Sequence, residues 1–255
     1  MHKKTQSTKI VLKKNKWDSL FFGIDIADMF FHGFNLPSES EIKLLLDRAL
    51  KKAYNFGFKY LVFTLPEKFI FLSSILKKQG FKLIDLCFDL KLVINKKIPF
   101  KISSDINIIK TCISDIPFIE RIASYSFRLS RFYNLKFSNK KLSDLYHIIW
   151  IRNLLKSRRA ILFTAKLEDR VCGFLALTLN RQDCSGRISL IATKKDMQGM
   201  GVGNALVYYA INWARKKRFK TIYVKTQKNN LKALKLYKKH NFKIFNVERK
   251  YSLYL

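Results

Sequence analysis

Three of the nine glycines in this 255-residue chain fall within five positions, in Gln198-Gly199-Met200-Gly201-Val202-Gly203. The string lies between a strand-like run that ends at Thr193 and a helical run from Asn204 to Lys217. Glycines in such a place let the backbone turn tightly and bring successive N–H groups against a ligand. The helix that follows adds its unpaired N-terminal donors and the positive end of its dipole. That is chemistry for holding a pyrophosphate, although a tight strand-to-helix turn would use the same glycines. Two familiar phosphate motifs fail on the string. A dinucleotide fingerprint begun at Gly199 needs Gly or Ala where Asn204 stands, and a P-loop needs a Gly-Lys-Ser/Thr sequence that the loop lacks.

A second pattern follows closely. Thr221 to Gln227 reads as a strand, and from Asn229 a helical run leads to Phe242. Asn230 opens that helix, where its amide can both cap and bind. Tyr237 comes seven residues later, two turns along the same face, so the two side chains can point into one cleft. On spacing alone, Tyr237 reads first as a core aromatic on a stripe with Ala233 and Leu236.

The elements that must position these residues suit a packed chain. Apolar residues make up 48 % and aromatics 14 %, with few Gly and Pro, which excludes collagen-like and low-complexity classes. From Ser38 the pattern Ser-x-x-Glu precedes apolar residues at helical spacing up to Gly57. Strands are expected at 59–64 and 81–94 around a helix over 68–79, so the first hundred residues read as mixed α and β. Pro99 and clustered Lys make 96–101 the expected linker, which gives an N-terminal α/β domain over 1–98 and a second domain over 99–255. In the second, helices are expected at 115–130 and 141–155 and strands at 159–166, 171–179 and 187–193. Residues 60–82 lie on 221–243 without a gap, as an internal repeat or as two chance strand-helix-strand units. In the first copy Phe69 and Leu76 replace Asn230 and Tyr237, which would confine chemistry to the second.

Charge and cysteines bound the partners. Fifty Lys and Arg against 18 Asp and Glu give +32, which favours anionic partners without choosing among them and reads first as a general compositional bias. Four cysteines and four histidines show neither disulfide nor zinc-ligand spacing. No apolar run approaches the length of a membrane span, so the expected location is a reducing cytoplasm, with no metal and no transmembrane segment.

The glycine loop resembles the acetyl-CoA signature Gln/Arg-x-x-Gly-x-Gly/Ala of the GNAT superfamily of N-acetyltransferases, in residue order and in its strand-loop-helix setting. The run from Asn230 to Phe242 resembles the second motif of that family, N-x-x-A-x-x-L-Y-x-K-x-x-F. Near the N-terminus, Trp17-Asp18-Ser19-Leu20-Phe21-Phe22-Gly23 is similar to a segment of a branch that acetylates nucleotide-linked 4-amino-4,6-dideoxy sugars for surface polysaccharides. By itself that string fits plain core packing. The chain departs from that branch in its fuller glycine loop, its many Lys residues and a longer connection before Gln198.

The resemblance implies a GNAT fold, a mixed central sheet flanked by helices, with an N-terminal half of similar α/β make-up that reads as a worn copy on the substrate side, and a catalytic domain over 99–255. It implies acetyl-CoA as co-substrate, bound by the backbone of Ile191, Ala192 and Thr193, by the loop Gln198, Gly199, Met200, Gly201, Val202 and Gly203, and by Asn230. It makes Tyr237 the general acid. Phe21, Phe22 and Arg131 become candidates for holding an amino-sugar nucleotide, and a homodimer is implied. No carboxylate or histidine claims the role of base, which leaves a water relay. A protein N-terminus, a lysine or another small amine is the alternative acceptor. A basic module for nucleic acid or a membrane surface, supported by charge alone, is the reading from another class; an intact loop with Asn230 and Tyr237 argues against it, and nucleic acid is not an expected partner.

Overall fold

In a computed structural model that describes residues 8–32, 38–94 and 105–255, the chain divides into two compact units. One holds Leu86 and everything described before it together with the last nine residues from Val247, and the other runs from Cys87 to Asn246. The expected linker at 96–101 lies outside the described residues.

The first unit contains β1 (Lys9–Lys14), α1 (Lys16–Phe22), β2 (Ile26–His32), α2 (Glu39–Asn55), β3 (Tyr60–Pro66), α3 (Ser73–Lys78) and the start of β4 (Lys82–Val93). The second contains the rest of β4, β5 (Ile106–Lys110), α4 (Ile116–Ser126), α5 (Lys140–Lys156), β6 (Ala160–Leu167), β7 (Arg170–Asn180), β8 (Ser185–Thr193), α6 (Val202–Lys216), β9 (Thr221–Gln227), α7 (Leu231–Lys239) and the start of β10 (Lys243–Tyr254). β10 ends in the first unit, antiparallel to β3, which is parallel to β2, and β2 is antiparallel to β1. In the second unit β4 is antiparallel to β9, β9 is parallel to β8, and β7, β6 and β5 follow antiparallel. Within each unit the pairing is therefore mixed, parallel and antiparallel, and helices flank the strands.

Local chemistry explains these elements. α2 starts where the sequence indicates: the Ser38 hydroxyl accepts from the Glu41 N–H, and the Glu41 carboxylate accepts from the Ser38 N–H at 2.7 Å. α1, which the sequence showed only as an aromatic string, is capped by Asn15, whose amide oxygen accepts from Asp18 N–H at 3.0 Å, and ends at the left-handed Gly23. The helix expected over 68–79 is broken instead. Phe69 is buried and leaves helical geometry (φ −110°, ψ 21°), so a 3-10 turn over Glu67–Leu72 precedes a short α3. The helix expected to reach residue 130 stops at Ser126, because Phe127 turns out of it to stack on His147, with ring centroids 4.8 Å apart.

The strand registers repeat between the units. The offset that carries Tyr60 to Thr221 also carries Val93 to Tyr254. Paired residues map onto paired residues: Tyr60 with Tyr254 corresponds to Thr221 with Val93, and Pro66 with Glu248 to Gln227 with Cys87.

The second unit's core joins β4, β9 and β8 to α6 and α7 through residues such as Leu90, Val224, Ile188, Leu206 and Leu234. His240, just past α7, is wholly buried, and that burial, with a smaller push from the Lys239 charge, lowers its imidazole to about 4. An unfolded chain takes up this proton near pH 6.5. Stability is therefore full above pH 6.5 and falls as pH drops from 6.5 to 4, by on the order of 2 kcal/mol. Denaturant midpoints at pH 7 and pH 4.5 should show this loss in the wild type and a smaller one in His240→Leu.

Candidate active site

The parallel pair β8–β9 is joined only over Ser185–Ile188 and Thr221–Val224 among the described residues. Beyond that point β8 continues to Thr193 and β9 to Gln227, so a wedge opens between two neighbouring strands. Beside it, β8 carries an extra residue. Leu177 faces Ile188 and Ala176 faces Leu190, which leaves Ser189 as a bulge, its hydroxyl 2.6 Å from that of Thr178. A one-residue insertion swaps the faces of everything after it. Ile188 thus packs toward α6, whereas Leu190 and Ala192 pack with α4 and α5. The backbone of Ile191, Ala192 and Thr193 runs along the wedge with β7 on one side and no β9 pairing on the other.

The glycine loop closes the end of this wedge. Gly199 and Gly201 have φ of 88° and 85°, a region that side chains other than Gly, Asn and Asp rarely adopt. Neither has any atom within 4 Å of where a Cβ would be, so conformation rather than space demands glycine there. Gly203 has the opposite reason: a Cβ would stand 3.3 Å from the Leu236 side chain of α7. Gln198 and Met200 are exposed, Val202 is buried, and the Gln198 amide oxygen accepts from Lys232 of α7 at 3.4 Å. Among the described residues no side chain caps α6, whose cap position is Gly201. Its first N–H groups stay available to an anion, and the helix dipole favours one. The contrast with α2 is chemical: there Ser38 and Glu41 occupy the same donors, with a carboxylate where an anion would sit.

α7 supplies the remaining candidates. Asn230 caps it, its Oδ1 accepting from Ala233 N–H at 3.2 Å. Tyr237 is only 3 % exposed and packs on Phe242, with ring centroids 5.6 Å apart. Burial alone pushes its phenol well above the ordinary tyrosine value, which keeps it protonated at neutral pH.

A strand pair that diverges at a bulge, followed by an uncapped helix behind a left-handed glycine loop, is a place to hold an extended ligand ending in phosphates. Residues 127–242 match the family model described as Acetyltransferase (GNAT) family. The chain carries a GNAT acetyltransferase domain. It is similar to dTDP-fucosamine acetyltransferase of Escherichia coli, 28 % identical over 225 residues that cover 87 % of this chain and 88 % of the relative. It is also similar to the spore coat polysaccharide biosynthesis protein SpsD of Bacillus subtilis, 26 % identical over half of this chain and 44 % of the relative. The fold matches the crystal structure of a GCN5-related N-acetyltransferase from Sphaerobacter thermophilus with a TM-score of 0.70 at 7 % identity, over 97 % of this chain and 76 % of that one. Residues 127–242 are a GNAT acetyltransferase domain, and enzymes of that family use acetyl-CoA.

The other sequence candidates belong to two different units. Phe21 and Phe22 belong to α1 of the first unit, edge to face with centroids 4.9 Å apart, while Arg131 lies in the second unit with its guanidinium 4.7 Å from the Phe132 ring. Sequence reasoning missed Gly173 of β7, where a Cβ would meet the Ala192 carbonyl oxygen at 2.8 Å and Val202 at 2.9 Å. This glycine lets the start of α6 settle against β7 and β8, and an isolated glycine in a strand is the signal that marked it. Among the described residues no group of three or more His, Cys, Asp and Glu side chains could hold a metal, and no helix is long and apolar enough to cross a membrane.

Proposed function

We propose that this enzyme moves the acetyl group of acetyl-CoA to the amine of a nucleotide-linked amino sugar, of the dTDP-4-amino-4,6-dideoxyhexose kind, for surface-polysaccharide synthesis. The observation that carries the proposal is the likeness to dTDP-fucosamine acetyltransferase, which extends over 87 % of the chain rather than over the GNAT domain alone. It takes in the first unit, which we read as a worn second copy serving the acceptor. The same reading makes the working enzyme a cytoplasmic homodimer.

The site fits acetyl-CoA on two counts, the uncapped α6 behind Gly199 and Gly201 and the β8 edge without a β9 partner. In this reading the α6 N–H groups and the 198–203 loop hold the pyrophosphate, and the amide nitrogen of Asn230 adds a donor. Backbone groups of Ile191, Ala192 and Thr193 align the pantetheine arm and steady the thioester oxygen. Acetyl-CoA supplies the activated acyl group, and the acceptor amine attacks it directly. The Tyr237 hydroxyl gives its proton to the departing thiolate, and water carries away the proton that the amine loses.

The assay is CoA release from acetyl-CoA with a panel of nucleotide-linked 4-amino sugars. Turnover on at least one of them is expected. Turnover on peptides or other small amines alone would select a different acceptor within the same enzyme class, and no affinity for acetyl-CoA would overturn the catalytic reading.

A further inference from the structure

Leu90, Leu92, Ile222 and Val224 of β4 and β9 pack with α6 and α7, so strand alternation puts Asp89, Lys91, Tyr223 and Lys225 on the opposite face. α4 and α5 cover that face over β6 to β8, through Leu162, Ala176 and Leu190. Beside them lies a polar cluster centred on Asp89, a carboxylate only 5 % exposed. Lys225 Nζ is 3.3 Å and Arg187 Nη1 3.5 Å from its two oxygens, and Asn246 Nδ2 donates to it at 3.1 Å. The Arg187 guanidinium stands 5.6 Å from the Tyr223 ring, Lys91 Nζ stands 5.5 Å from the Phe245 ring, and the two rings are 5.7 Å apart.

Asp89 holds Lys225 and Arg187, and Lys91 adds a third cation beside the Phe245 ring. These groups are accessible, with the side chains of Lys225 and Arg187 32 % and 46 % exposed and Phe245 46 %. Arg187 pairs in register with Tyr223, and Lys225 is the first residue past the point where β8 and β9 part. The patch therefore begins at the foot of the acetyl-transfer wedge, on the face away from α6. A guanidinium and an ammonium held by a buried acid, with a second ammonium over one of two aromatic rings, match a diphosphate joined to a flat ring.

We propose that Arg187, Lys225 and Lys91 bind the diphosphate of the acceptor, with Tyr223 and Phe245 against its base or sugar. This rests on the nucleotide-sugar reading above. Asp89 acts as a positioning residue that fixes Arg187 and Lys225.

The test is calorimetric titration of thymidine diphosphate into the full chain, for wild type, Arg187→Gln, Lys225→Gln and Lys91→Gln, each checked against acetyl-CoA binding and melting temperature. Lys91→Gln keeps every Asp89 partner in place, so at least this variant reports on phosphate binding without disturbing the cluster. We expect each variant to weaken thymidine diphosphate about fivefold or more with acetyl-CoA affinity unchanged, and the KM for the amino-sugar nucleotide to rise while kcat stays within about threefold. Wild-type affinity that the variants leave unchanged would overturn this site and leave the nucleotide-sugar reading intact. Turnover on nucleotide sugars without measurable thymidine diphosphate affinity would do the same. Binding of RNA or anionic vesicles that the three substitutions abolish, without any effect on the nucleotide, would reassign the patch and overturn the proposal. No turnover on any nucleotide sugar would remove the reading itself.

Discussion

Tyr237→Phe is expected to lower kcat about a hundredfold or more while leaving the KM for acetyl-CoA within about threefold. The ring packs on Phe242 in the core of the second unit, and Phe keeps that packing, so the melting temperature should hardly move. What the change removes is one hydroxyl. Burial holds that hydroxyl protonated far into the alkaline range, as a donor to a departing thiolate must be. A positioned general acid contributes roughly 10² to 10⁴ in rate, and its loss falls on the chemical step rather than on binding. Steady-state kinetics measured by CoA release, together with equilibrium binding of acetyl-CoA, separate the two. A variant that retains more than a tenth of wild-type kcat would make Tyr237 a core aromatic and move the proton source elsewhere.

The second large effect belongs to Gly201. Its φ of 85° starts α6 and turns the first helical N–H groups toward the loop. No atom lies within 4 Å of a Cβ placed there, so a new side chain meets no clash and any penalty is conformational. A β-branched residue strongly resists this region, at a cost of about 1–3 kcal/mol, while Asn tolerates it. Gly201→Val should then weaken acetyl-CoA binding more than tenfold, because the loop relaxes to a conformation that aims its N–H groups away from the pyrophosphate. Gly201→Asn should stay within about threefold of wild type. Calorimetry on both variants decides the matter: equal losses would point to simple crowding of the ligand by any side chain, and equal retention would show that the loop does not grip the phosphates.

Much of this was legible before any fold was known, because the informative residues lie close together in sequence. The glycine string Gly199 to Gly203, the Asn230 cap and Tyr237 two turns later are local patterns with local reasons, a left-handed backbone, an end of a helix and a helical repeat. Ser38 and Glu41 mark the start of α2 for the same reason. Aromatic anchors defeated the pattern elsewhere. Phe69 breaks a run that reads as one helix, and Phe127 ends another early, because burying a large ring outweighs helix propensity over a turn.

The sequence by itself determined the glycine string, the Asn230 cap and the tyrosine two turns on, while it put the helix after the glycines at Asn204, two residues later than its start at Val202. Only the tertiary structure decided that β8 bulges at Ser189 and parts from β9, that Gly173 leaves room for the start of α6, and that Asp89, Arg187, Lys225 and Asn246 meet on one face. The physical reason is the range of the interactions. Turns, caps and helical stripes are set by neighbours within a few residues, whereas strand pairing joins residues as far apart as Cys87 and Gln227, and side-chain contacts join Asp89 to Asn246, with no mark in the spacing of any of them.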